Sequence, residues 1–177
     1  MKGFKWQVAV LAFVLTLTIA GGVIYLRQRQ LVNEPLLKRL SELEPVKSVE
    51  LERESDSQTV YVTLDYVEDL SVAYRELHEE IGRLLGQGRY RLVIQDERNE
   101  ALEAAFFAVH LALYEGEQRG NFTEMAELVS AILQGLKIAD YKLIVDQENI
   151  FLQIRQENAH LFAIIERERG GKEVELP

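Results

Sequence analysis

From Trp6 to Leu26 the chain carries no charged residue: WQVAVLAFVLTLTIAGGVIYL. At 1.5 Å per helical residue this run is roughly 31 Å long, close to the thickness of a bilayer's hydrocarbon core. Trp6 and Tyr25 stand near its ends, where amphipathic rings prefer the headgroup region. Lys2 and Lys5 flank one side, Arg27 and Arg29 the other. A buried globular helix of this length would show a polar stripe. The run is therefore expected to be a single-pass transmembrane anchor of signal-anchor type, meeting the lipid bilayer through residues 6–26 behind a charged tail at residues 1–5.

A cleaved secretory signal is the rival reading, with Lys2 and Lys5 as its charged start and Thr18-Ile19-Ala20 as a small-residue cleavage site. Against it, the apolar run continues to Leu26, beyond the roughly 7–15 residues of a signal's apolar region. The expected location is the cell membrane. Its orientation stays open: Arg27, Arg29, Lys38 and Arg39 lean the following domain toward the cytoplasm, whereas Lys2 and Lys5 on a short tail favour the reverse. Ala12, Thr16 and Ala20 share one helix face, a spacing that lets two membrane helices approach and associate. The same stripe also arises from ordinary use of small residues in apolar spans.

Composition constrains the chain beyond the anchor. The 177 residues contain no cysteine, which excludes disulfides, thiolate metal sites and a cysteine nucleophile. All 29 acidic residues lie after the apolar run while four basic ones flank it, so the remainder is more negative than the whole chain's −9. Such a surface repels nucleic acid and anionic lipid alike. No nucleic-acid partner is expected, and the anchor rather than the domain must hold the protein at a membrane.

Residues 27–45 form a connector. In it Asn33 can cap a short helix with Pro35 in its first turn, Leu36, Leu37, Leu40 and Leu43 form a stripe, and Pro45 ends the segment. The stripe is expected to pack on the domain, because so short a helix is marginal alone.

Residues 46–169 carry the globular pattern. Val60, Val62, Leu64 and Tyr66 alternate with polar residues as a half-buried strand, and Val46–Arg53 is its hairpin partner across the turn-like ESDSQ stretch. Leu70, Ala73, Leu77, Ile81 and Leu84 recur at helical spacing behind Asp69 as N-cap, and Tyr90, Leu92 and Ile94 mark a further strand. In the helix over 99–118, Ala101, Ala104, Ala105, Ala108 and Ala112 line one side, with Phe107, Leu111 and other large residues on its shoulders. This predicts a close approach to a sheet and cover on more than one side. Asn121 with Glu124 has the spacing of a capping box for the next helix. Strands are expected at 141–146, 150–155 and 161–166. The order ββαβααβββ predicts an α+β fold: a compact domain with a mixed sheet and helices mainly on one face. The tail at 170–177 is expected to be flexible.

No phosphate-binding glycine motif, nucleophile elbow or H-E-x-x-H pattern occurs, and nothing in the sequence asks for a cofactor. His78-Glu79-Glu80 lacks the second histidine of a zinc helix and is expected to be a solvated face. His110 shares a stripe with Glu103, Tyr114 and Glu117, either a proton acceptor beside carboxylates or simply the helix's wet side. Arg75, Arg83, Arg89, Arg91 and Arg98 are expected to serve the glutamates rather than a phosphate. Asn121-Phe122-Thr123 is a sequon with a helix-capping explanation.

If the strands ending near Asp65 and Asp96 flank a helical crossover, they run parallel. Asp65, Asp69, Asp96 and Glu97 then gather at one sheet edge and could hold Ca²⁺ or Mg²⁺; capping of helix N-termini explains the acids as well. The leading expectation is a bacterial, non-enzymatic, membrane-anchored interaction or assembly domain whose partner is a membrane-associated protein or a second copy. The first alternative is a tethered sensor binding a small ligand or cation at the acidic edge. The second is an enzyme using carboxylates and His110. In architecture, the anchor, connector and α+β domain resemble envelope-assembly proteins, including some ring-forming sporulation components.

Overall fold

The computed structural model describes residues 13–18, 34–53, 58–86, 88 and 90–167. Residues 13–18 are helical and exposed. The rest of the apolar run, with Trp6, Ala12, Ala20, Tyr25, Arg27 and Arg29, lies outside the described residues, as do the two terminal tails at 1–5 and 170–177. Among the described residues no helix is long and apolar enough to cross a membrane.

The fold is α+β. Its elements are α1 (Glu34–Ser41), β1 (Val46–Arg53), β2 (Gln58–Leu64), α2 (Leu70–Leu85), β3 (Tyr90–Gln95), α3 (Glu100–Arg119), α4 (Phe122–Gly135), β4 (Tyr141–Val145), β5 (Asn149–Gln156) and β6 (Ala159–Glu166). The expected hairpin is present: β1 pairs antiparallel with β2, Arg53 opposite Gln58. The expected crossover is present too, since β2 and β3 run parallel on either side of α2. Asp69 caps α2 as read from sequence, its Oδ1 accepting from the backbone N–H groups of Ser71 at 2.9 Å and Val72 at 3.2 Å.

One expectation is corrected. The strands form two three-stranded sheets, the mixed β1-β2-β3 and the antiparallel β4-β5-β6, instead of one mixed sheet. The break has a local cause. Asp96, just past β3, accepts the Phe162 backbone N–H on Oδ2 at 2.7 Å, and Arg98 donates to the Phe162 carbonyl at 3.4 Å. These side chains occupy edge groups of β6 that a neighbouring strand would otherwise use. Among the described residues one main-chain bond, His160 N–H to Glu97 C=O at 3.3 Å, joins the two sheets at that end.

The helices also divide between faces rather than gathering on one. Ile150, Leu152 and Ile154 of β5, with Leu161, Ala163 and Ile165 of β6, pack against α3 and α4. The opposite residues Phe151 and Phe162 join a second core with β2, α2 and the α1 residues Leu36 and Leu40. Thus β5 is covered on both sides, and an almost unbroken apolar run, NIFLQI, is the composition that such a strand demands. The leucine-striped connector helix docks on the domain as expected, although Leu43 is exposed.

The wheel of α3 needs a second correction. Leu102, Ala105, Val109, Ala112, Leu113 and Gly116 are buried, whereas Ala101, Ala104 and Ala108 are exposed along with both Phe107 and Leu111. The helix meets the rest of the domain on one side only. A Cβ at Gly116 would stand 2.6 Å from Cβ of Met125, so this glycine sets how closely α4 approaches. At the α3–α4 corner, Asn121 makes no side-chain cap; its Nδ2 donates to Glu124 at 2.7 Å, reversing the expected capping geometry.

Candidate interaction surface

The acidic sheet edge exists, but basic and N–H groups divide its members. Lys47 on β1 lies 2.7 Å from Glu97 and 3.7 Å from Asp65, joining two of the four expected carboxylates. The Glu97 hydrogen bond raises the Lys47 pKa, and the Tyr66 N–H holds Asp65 below the usual carboxylate range. Asp69 is turned to the α2 terminus, where the Ser71 hydroxyl at 2.6 Å leads the lowering of its pKa. Asp96 faces Arg98 at 2.7 Å and the β6 backbone. Among the described residues no group of three or more His, Asp or Glu side chains could hold a metal ion.

The histidines differ from their sequence reading. His78 is not a solvated face: its ring stacks on Tyr74, centroids 5.9 Å apart, and tilts against Tyr90 at 5.2 Å. Tyr90 donates its hydroxyl to the His78 carbonyl at 2.6 Å, and burial pushes the Tyr90 phenol up to about 12. His110 is half-buried between Phe106 and Phe107, with Nδ1 2.7 Å from the Phe107 carbonyl. Of the arginines, Arg83 meets Glu79 and Glu80, and Arg98 meets Asp96; Arg89 lies outside the described residues.

Two polar residues with no motif around them connect the halves of the molecule. Gln153, buried in β5, accepts the Leu70 N–H on Oε1 at 2.9 Å and donates Nε2 to the Val67 carbonyl at 3.0 Å. His160, buried in β6, places Nε2 3.1 Å from the Leu64 carbonyl. A lone glutamine inside NIFLQI is the sequence signal for such a link, because a buried amide must find partners for both its ends.

Two surface features remain without a structural task. The first is the outer face of α3, where Phe107 is 74%, Leu111 70% and Tyr114 52% exposed. Exposed Glu100, Glu103 and Glu115 border this apolar strip. These large apolar groups lie on the side of α3 opposite its buried residues Leu102, Val109 and Leu113. The second is a cleft of about 520 Å³ between the facing edges of β3 and β6, walled by Val93 and Ile94 on one side and Phe162 and Ile164 on the other. Phe106 and Tyr114 also line it, so cleft and helix face form one continuous surface. The chain matches no known protein-family model and no curated protein sequence.

Proposed function

We propose that the chain is a single-pass, membrane-tethered interaction domain that acts in a membrane-associated complex and carries no catalysis of its own. The observation that carries this reading is the exposed Phe107–Leu111–Tyr114 strip on the side of α3 that faces away from the core. Its acidic border favours a partner that presents apolar side chains flanked by Lys or Arg, and disfavours anionic lipid as the covering body. The uncharged stretch from Trp6 to Leu26 supports the tether, which would confine the domain to a surface and raise its effective concentration toward neighbours there.

The experiment is photo-crosslinking of the full chain in native membranes, from probes placed at position 107 or 111 in turn. A discrete larger product is expected from each. It should disappear when the unprobed neighbour carries a charge (Leu111→Glu or Phe107→Glu), while thermal stability changes by no more than about 0.5 kcal/mol, as for other surface substitutions. No product from either site overturns the assembly reading. The tether is tested separately: the full chain should stay with membranes through alkaline extraction, and its release into the supernatant overturns that part.

A further inference from the structure

We propose that the cleft between β3 and β6 receives an extended, apolar segment of a partner protein as an added strand, which would join the two sheets into one. Each of these strands is the last of its sheet, and their edges come together at the Glu97–His160 bond. The β6 edge has a fixed direction. His160 and Phe162 turn their backbone N–H groups toward Glu97 and Asp96. Arg167 instead turns its backbone N–H to the Glu148 carbonyl, on the β5 side, at 2.8 Å. By the two-residue period of a strand, Ile164 and Glu166 therefore aim N–H and C=O into the cleft. Among the described residues no other strand pairs with that edge. On the opposite wall four successive residues, Arg91 to Ile94, line the opening. Successive side chains of a strand point to opposite faces, so a wall made by all of them is the edge of β3 rather than one of its faces.

The cleft dictates the form of its occupant. On the β6 wall Phe162 and Ile164 belong to the core with α2, and Ala163 and Ile165 to the core with α3. Tyr74 of α2 and Phe106 of α3 line the opening from either side. A strand placed there is covered on both faces, as β5 is, and must be apolar at every position rather than at alternate ones. Its length follows from the walls: residues 91–94 span roughly 13 Å at about 3.3 Å each, room for about four residues. Asp96 and Arg98 close the inner end by holding the Phe162 N–H and carbonyl, so the segment enters between Arg91 and Glu166. That mouth is charged. Exposed Glu166 follows Ile164 on the α2 side, where burial and then the charges of Glu166, Glu148 and Asp146 raise the Tyr74 pKa. Exposed Arg91 alternates with Leu92 and so lies on the α3 side. The segment that fits is about four apolar residues, then a Lys or Arg toward Glu166 and an Asp or Glu toward Arg91.

The proposal rests on the interaction-domain reading and gives one partner element its form. The probes are two blocked peptides that run in opposite directions, Val-Ile-Val-Ile-Lys-Glu and Glu-Lys-Ile-Val-Ile-Val, added in excess to the full chain in detergent. With one of them, amide exchange at Ile164 and Glu166 should slow by about tenfold or more, since those N–H groups gain a strand partner. The same peptide with proline at its two central apolar positions should leave that exchange unchanged, because proline has no N–H and does not continue a central strand. No slowing with either peptide overturns the proposal, and so does slowing confined to α3. Amides of Ile164 and Glu166 already as slow as those of β5 in the free full chain overturn it too, whether another part of the chain or a second copy covers them. The two readings fail separately. Crosslinks from 107 or 111 without peptide protection at Ile164 and Glu166 keep the complex and remove the strand, whereas Phe107→Glu removes the crosslink and leaves the peptide effect in place.

Discussion

At the scale of single residues, Gln153 has the largest consequence for its size. It is buried and serves the backbone at 67–70 with both ends of its amide. Gln153→Leu keeps the volume but strands the Leu70 N–H and the Val67 carbonyl away from water. A loss of about 2–4 kcal/mol is expected in thermal or denaturant unfolding of the full chain, from the desolvation cost of two unpaired groups. A loss below about 0.5 kcal/mol would mean that solvent reaches them. Tyr90 governs the alkaline side. Its phenol is raised from the ordinary 10.0 to about 12, so the folded state keeps a proton that the unfolded chain releases. Stability from this group is complete below pH 10.0 and is lost as the pH rises toward about 12. Tyr90→Phe should flatten that decline, read as melting temperature against pH. The sequence signals that a lone glutamine in an apolar run needs polar partners, but neither it nor a tyrosine in an alternating strand shows which carbonyl it meets.

At the scale of elements, local chemistry was far more legible. Asp69 ahead of an apolar period, the alternation of β2 and the Gly120 break after α3 each act within a few residues, and each element formed where they point. What failed was the choice of face. Both sides of α3 are rich in apolar residues, so its wheel cannot say which arc the sheet takes, and the sheet took Leu102, Val109 and Leu113 and left Phe107 and Leu111 to the outside. The cap and the helix corner give two predictions. Asp69→Ala should cost about 1 kcal/mol, the usual worth of an N-cap. Because folding lowers the Asp69 pKa, that worth is present above its ordinary 3.8 and fades as the pH falls through the folded value, so wild type and variant should converge in acid. Gly116→Ala forces the α3–α4 pair apart at Met125, and overpacking of this kind costs about 1–3 kcal/mol. Met125→Ala in the same chain should recover part of the loss if the clash is its source.

At the scale of the whole molecule, the question is whether two sheets and two apolar clusters behave as two bodies. β5 argues that they do not. Ile150, Leu152 and Ile154 belong to the cluster under α3 and α4, while Phe151, between two of them in sequence, belongs to the cluster with α1, α2 and β2. A strand cannot release one face and keep the other in place, because its successive side chains share one backbone. The polar links run the same way: Gln153 ties β5 to the start of α2, and Asp96 ties the end of β3 to β6. This long-range closure was hidden from sequence because it depends on residues 66 positions apart, Asp96 and Phe162, rather than on any local period. The expectation is one cooperative transition for residues 34–167, with the far-ultraviolet signal of the helices and the near-ultraviolet signal of the tyrosines falling together. Phe151→Ala is the decisive variant. Its cavity opens on the α2 side, yet the whole transition should shift by about 3–5 kcal/mol, and amides of α3 and α4 should lose protection by as much as those of α2. Were α3 and α4 to keep wild-type protection while α2 lost it, the second sheet would be a body of its own, and β5 would not be the strand that couples the two cores.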